Sequence, residues 1–211
     1  MRLFSAASTI LFLLVWSLLV VSFATGWYHV DTKNRDGDMV RMFSFYPTKV
    51  KISNYGIEDG NVSYKDFQGI LSASNGLEIN FSFKPFINAS FAMAIIAWIV
   101  CTVQIGLQIM DTLGKNFVPI VGRFLGFVVF ALTLISFIVY VRFKPILNED
   151  CKKVYSNCNV ANYGVYSESF IGKNDSSRWG SGIGWNSVLA SCIFALFTSI
   201  YNVFFFNKST A

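Results

Sequence analysis

Histidine occurs once in this chain, at His29, and charged residues make up 14% of it, where a soluble domain usually carries about a quarter. A zinc site needs about four close ligands, and a single histidine remote from the cysteines does not supply them. There is no H-E-x-x-H, no G-x-S-x-G and no glycine loop built to cradle phosphate. The apolar segments hold no acid before Asp111, so intramembrane proteolysis by paired carboxylates has no residues to use. These shortages point away from an enzyme, and from any metal or cofactor. The formal charge of +5 does not single out a nucleic acid, because the basic residues are interspersed with acids.

What the chain has instead is apolar length. Apolar residues make up 54% of the 211 and the mean hydropathy is +0.49. Four runs hold the excess: Leu3 to Ala24, Ile87 to Met110, Phe124 to Val141 and Ile183 to Phe206. A helix needs about 20 such residues to cross some 30 Å of hydrocarbon. The pattern predicts four transmembrane helices at about 3–25, 87–110, 122–142 and 183–206 in a single membrane domain over 1–211. The first run also resembles a secretory signal, with Arg2 ahead of it and Ser22-Phe23-Ala24 at its end. It is longer than a signal's apolar region, about 7 to 15 residues, and is read as a retained helix.

Four spans put both termini on one side, with two long loops, 26–86 and 143–182, on the other and a short loop, 111–121, on the side of the termini. Basic residues orient such a chain poorly, since every acid but Asp111 lies with them in or beside the long loops. Glycosylation sequons are more useful. They begin at Asn61, Asn80, Asn88 and Asn174, in or bordering the long loops, with a fifth at Asn207. Asn88 lies too near the bilayer to be modified, so Asn61, Asn80 and Asn174 are the expected glycan sites. Both termini are then cytosolic, with the plasma membrane as the expected location and an endomembrane as the alternative.

The cysteines fit that placement. Cys101 and Cys192 lie inside apolar runs, where a thiol packs as a small group. Cys151 and Cys158 share the second long loop; with six residues between them they are not a thioredoxin-like C-x-x-C pair. A disulfide in an oxidising compartment is expected, with two unrelated free thiols as the alternative.

The first long loop carries strand signals. Leu77 to Phe83 alternates apolar and polar without a break, and Met42 to Tyr46, Val50 to Tyr55 and Val62 to Phe67 do so less cleanly. Asp36-Gly37, Asp59-Gly60-Asn61 and Asn75-Gly76 supply turns. Three or four antiparallel strands are expected. The second long loop is rich in Tyr, Asn, Ser and Gly, a composition common in recognition loops, although Tyr155, Tyr163 and Tyr166 could equally pack on the first loop or lie at headgroup level.

Within the second span, Gln104, Gln108 and Asp111 fall along one helix face. They serve either as interhelical hydrogen-bonding groups or as a polar pathway. Gly122 and Gly126 open the third span at the spacing that lets helices approach closely, and small residues recur every fourth position along the fourth.

Four spans, a first loop read as a small sheet, and short inner segments resemble the claudin and peripheral myelin protein superfamily. The resemblance is one of layout. That superfamily has a Trp ahead of two cysteines in the first loop, whereas this loop has Trp27 and no cysteine, so no family binding residue is carried over. The fold expected is an all-α membrane four-helix bundle with a small antiparallel β cap on the extracellular or lumenal side. Its partners would be the lipid bilayer and other membrane proteins or further copies of itself. Such a layout implies adhesion, junction or membrane organisation; a transporter, a channel or an accessory subunit of one is the alternative.

Overall fold

Each of the four prolines sits where a missing N–H leaves nothing unsatisfied. Pro85, Pro119 and Pro145 lie in the first turns of helices, whose N–H groups have no intrahelical acceptor. Pro47 takes the first loop position of a hairpin closed by the Tyr46 N–H to the Lys49 carbonyl, 2.8 Å. The computed structural model describes residues 2–33, 37–53, 60–68, 82–113, 119–154, 170–173 and 177–206.

Four long helices run over Arg2–Ala24 (α1), Lys84–Thr112 (α2), Pro119–Val141 (α3) and Ile183–Phe206 (α5), with a shorter helix, Phe143–Val154 (α4), following α3. Among the described residues four helices are long and apolar enough to cross a membrane, over Ala6–Ala24, Lys84–Thr112, Phe124–Ile146 and Ile183–Phe204. Ile10, Ile99, Phe124 and Phe197 are at least half exposed, at 67%, 50%, 57% and 64%. In a bilayer such side chains meet acyl chains rather than water. The fold is a four-helix membrane fold with a small antiparallel sheet.

The strands are Tyr28–Lys33 (β1), Met39–Phe45 (β2), Lys49–Ile52 (β3), Gly60–Ser63 (β4), Gly172–Lys173 (β5) and Ser177–Ser181 (β6). They form one antiparallel sheet in the order β4-β3-β2-β1-β6-β5. Period-two alternation puts Tyr28, Val30, Phe43, Phe45, Val50 and Ile52 on the buried face. Gly37, which precedes β2, has φ 89°, a conformation glycine adopts without steric cost.

Three local expectations change. The second long loop is not only a neighbour of the sheet, because β6 pairs directly with β1. The strand expected over Val62 to Phe67 stops at Ser63. There the Ser63 hydroxyl accepts the Asp66 N–H at 3.1 Å and donates to the Asp66 carboxylate at 2.6 Å, a capping arrangement that starts a helical turn over 64–68. In that turn Tyr64 and Phe67, three residues apart, are both buried. Of the strand expected over Leu77 to Phe83, residues 77–81 lie outside the described residues. Ser82 and Phe83 form a turn into α2, with the Phe83 carbonyl accepting from the Phe86 and Ile87 N–H groups at 3.1 and 3.3 Å.

Within the membrane domain read over 1–211, residues group into two compact units: 1–22, 90–137 and 187–211 in a helical unit, 23–89 and 138–186 in a sheet unit. Of the four candidate spans, that on α5 is the most buried. In the helical unit a Cβ at Gly126 would come within 2.8 Å of the Phe12 ring and would also strike the Ser199 side chain. That closeness requires glycine. Gly122 faces open space.

Candidate functional site

The helical unit uses its polar side chains between helices. Gln104, fully buried on α2, donates through Nε2 to the Gly122 carbonyl of α3 at 2.8 Å. One turn on, Gln108 donates to the Ser8 hydroxyl of α1 at 2.8 Å, and Ser8 in turn donates to Oδ1 of Asn202 on α5. Ser90 and Ser136 exchange hydroxyl-to-carbonyl bonds between α2 and α3, at 2.7 and 2.8 Å. All four long helices are thereby joined. Asp111, at the end of the same face, is half-buried. Each interhelical contact of this kind contributes about 1 kcal/mol in a bilayer. Gln104 Oε1 and Asn202 Nδ2 are buried with no hydrogen-bond partner among the described residues.

The sheet unit is organised by aromatic rings and by α4. Phe143 packs against Tyr28, Phe45, Phe83 and Tyr140 with ring centroids 5.2 to 5.6 Å apart. Pairs at such distances contribute about 0.5 to 1.5 kcal/mol each beyond burial. The next residue, Lys144, is fully buried, its ammonium 5.4 Å from the Tyr28 ring centroid and 5.8 Å from that of Trp179. Aromatic faces offset part of the cost of removing that charge from water. Two turns along α4, the buried Asp150 carboxylate accepts the Ser82 and Phe83 N–H groups at 2.6 and 3.2 Å. A carboxylate supplied from another helix thus caps the start of α2, where the helix dipole favours negative charge.

Burial in this unit pushes the Tyr28 and Tyr64 phenols well above the ordinary tyrosine range. Tyr64 donates to the Tyr46 carbonyl at 2.6 Å. The segment before β1 is clamped to the start of α5: the Gly182 N–H reaches the Trp27 carbonyl at 2.8 Å and the Gly184 N–H reaches the Gly26 carbonyl at 2.9 Å. Added Cβ atoms would overlap the Gly26 carbonyl at Gly182 and the Trp27 ring at Gly184. Both glycines are required by close approach.

The chain is 28% identical over 207 residues to an uncharacterized transmembrane protein of Dictyostelium discoideum, covering 90% of this chain and 82% of that protein. No protein-family model matches. Together with the four membrane-length helices, the similarity identifies a multi-pass transmembrane protein.

The expected site residues separate as follows. Gln104, Gln108, Gly122 and Gly126 come together in the helical unit. Asn61 lies exposed on β4, in register with Lys51. The backbone of Cys151 is helical within α4, while its side chain, with Cys158, Asn80 and Asn174, lies outside the described residues. Cys101 and Cys192 are buried free thiols. Among the described residues no cluster of His, Cys, Asp and Glu is placed to hold a metal ion.

Sequence reasoning missed Lys144 and Asp150. The segment Phe143 to Val154 follows a span and is charged, so it reads as loop. The available signal was helical spacing: Phe143 and Asp150 are seven residues apart, two turns, and so fall on one face.

Proposed function

We propose that the protein acts by binding, as an adhesion, junction or membrane-organising component, and not as an enzyme. The observation that carries this reading is the use of Gln104 and Gln108. Both are buried and donate to neighbouring helices at 2.8 Å, so the polar face of α2 serves helix association rather than an open path. The sheet drawn from both long loops is the larger recognition surface, with exposed Asn61, Lys51 and Arg178. Its partners are other membrane proteins or further copies of the chain. The four-span layout with a loop sheet supports a claudin and peripheral myelin protein-like arrangement. In that arrangement the termini are cytosolic, Asn61, Asn80 and Asn174 carry glycan, Cys151 and Cys158 form a disulfide, and the plasma membrane is the location.

A transporter, a channel or an accessory subunit is the second reading. Its support is that Gln104 Oε1 and Asn202 Nδ2 are buried without partners among the described residues.

The test is capture of crosslinked partners in mild detergent, comparing the native chain with Phe83→Asp. Phe83 is fully buried between Tyr64 and Phe143, and an unpaired buried charge there costs several kcal/mol. Binding through the sheet unit predicts loss of capture with all four spans still inserted. Undiminished capture by a variant whose sheet unit has unfolded would refute it.

A further inference from the structure

A partly open cleft of about 180 Å³ lies in the sheet unit. One part of its wall is apolar and comes from the last residue of one candidate span, Ala24, and the first of another, Ile183. The rest is polar, from Thr25, His29, Ser44 and Tyr46. Residues that end two bilayer-length helices lie where hydrocarbon gives way to headgroups. A cavity apolar on one side and lined by hydroxyls and an imidazole on the other matches that boundary. We propose that this cleft binds the headgroup of an anionic phospholipid, with the glycerol end toward Ala24 and Ile183 and the phosphodiester toward the hydroxyls.

The sign of the charge follows from the surroundings. Among the described residues no acid lines the cleft. Lys49 holds its ammonium 5.4 Å from the centroid of the Tyr46 ring, which forms part of the wall. Exposed Lys51 pairs in register with Ser44. The nearby carboxylate of Asp31 stands 3.9 Å from His29 Nε2, and Asp31 is the cross-strand partner of Arg178 on β6. Hydroxyl groups with Lys49 and Lys51 beside them suit a phosphodiester that carries net negative charge. The backbone is fixed for the purpose: Gly182 and Gly26 are held by the clamp to the start of α5, leaving no room for a Cβ at Gly182. Lipid held here would fix the depth of the sheet unit in the headgroup layer whether or not a protein partner binds the sheet.

The experiment uses the full chain in nanodiscs containing phosphatidylglycerol and phosphatidylcholine in known ratio, released gently and weighed by native mass spectrometry. Retention of phosphatidylglycerol above its share of the bilayer is expected. Lys49→Gln, at a half-exposed position, and Ser44→Leu, which fills the cleft, should each lower that enrichment by about tenfold, the worth of one hydrogen bond to a charged group. Added inorganic phosphate should not displace the lipid, because it lacks the glycerol end. Retention that mirrors the bilayer composition would overturn the proposal. So would enrichment unchanged in Lys49→Gln, whose partly exposed side chain leaves the core intact. Displacement by inorganic phosphate would show a site for the free ion and not for lipid, and would overturn it as well.

Discussion

Replacing Asp150 with alanine removes the acceptor for two N–H groups at the start of α2. These bonds measure 2.6 and 3.2 Å, and the carboxylate that makes them is 3% exposed. A hydrogen bond to a charged group contributes about 1.5 to 3 kcal/mol, and loss of a helix cap costs about 0.5 to 2 kcal/mol. The two descriptions overlap, and removing the carboxylate also relieves its own desolvation. A net loss of about 2 to 3 kcal/mol follows. Asp150→Asn keeps an acceptor oxygen but no charge and should lose about half as much. Hydrogen exchange at residues 82–87, read in detergent or nanodiscs, locates the effect, and unfolding in denaturant gives its size. Faster exchange confined to the start of α2, with Asp150→Asn between the native chain and Asp150→Ala, is the expected result. Unchanged protection at 82–87 in Asp150→Ala would refute the assignment of Asp150 as the cap.

Gly184→Ala should destabilise the sheet unit by about 2 kcal/mol or more, because its Cβ meets the Trp27 ring and lies 2.8 Å from the Thr25 carbonyl; altered near-ultraviolet circular dichroism with unchanged helix content would report it. Alkaline titration should show Tyr28 and Tyr64 resisting ionisation while the chain is folded. Burial raises their folded pKa above the unfolded value of about 10, so their contribution is full below that pH and is lost as pH rises beyond it. Tyrosinate absorbance should therefore lag and then rise together with unfolding, and early ionisation of all tyrosines would count against their burial. Gln104→Leu should change stability by about 1 kcal/mol with normal membrane insertion, read by detergent unfolding; a loss several times larger would mean that the Gly122 bond is not its main role.

The spans were legible because hydrocarbon thickness leaves a long and nearly uncharged signature, and the helices at Arg2–Ala24 and Ile183–Phe206 lie close to the apolar runs. Helix α2 begins at Lys84 rather than near Ile87, since Pro85 is acceptable in a first turn and Asp150 caps it from a distant part of the chain. No local pattern announces a cap that arrives from 67 residues away. The pairing of β1 with β6 was hidden for the same reason, as it joins segments separated by two spans. Strand β1 itself is short, and Trp27-Tyr28-His29, which spans its beginning, reads as a headgroup-level aromatic cluster. Ser63 illustrates the opposite case: Ser-x-x-Asp over 63–66 is a local helix-start pattern, embedded in an alternation through Val62 to Phe67 that reads as strand. Of the polar face on α2, the sequence placed Gln104 and Gln108 together; their acceptors on α3 and α1 required the packed helices.

The most direct test of the binding account is solute flux in liposomes containing the purified chain, measured for potassium, chloride and a neutral sugar with the native protein and with Gln104→Leu. If the polar groups of α2 serve helix association, both proteins should leave flux at the level of protein-free liposomes. Flux carried by the native chain and removed by Gln104→Leu would contradict the account and make the face of Gln104 and Gln108 a conduction path.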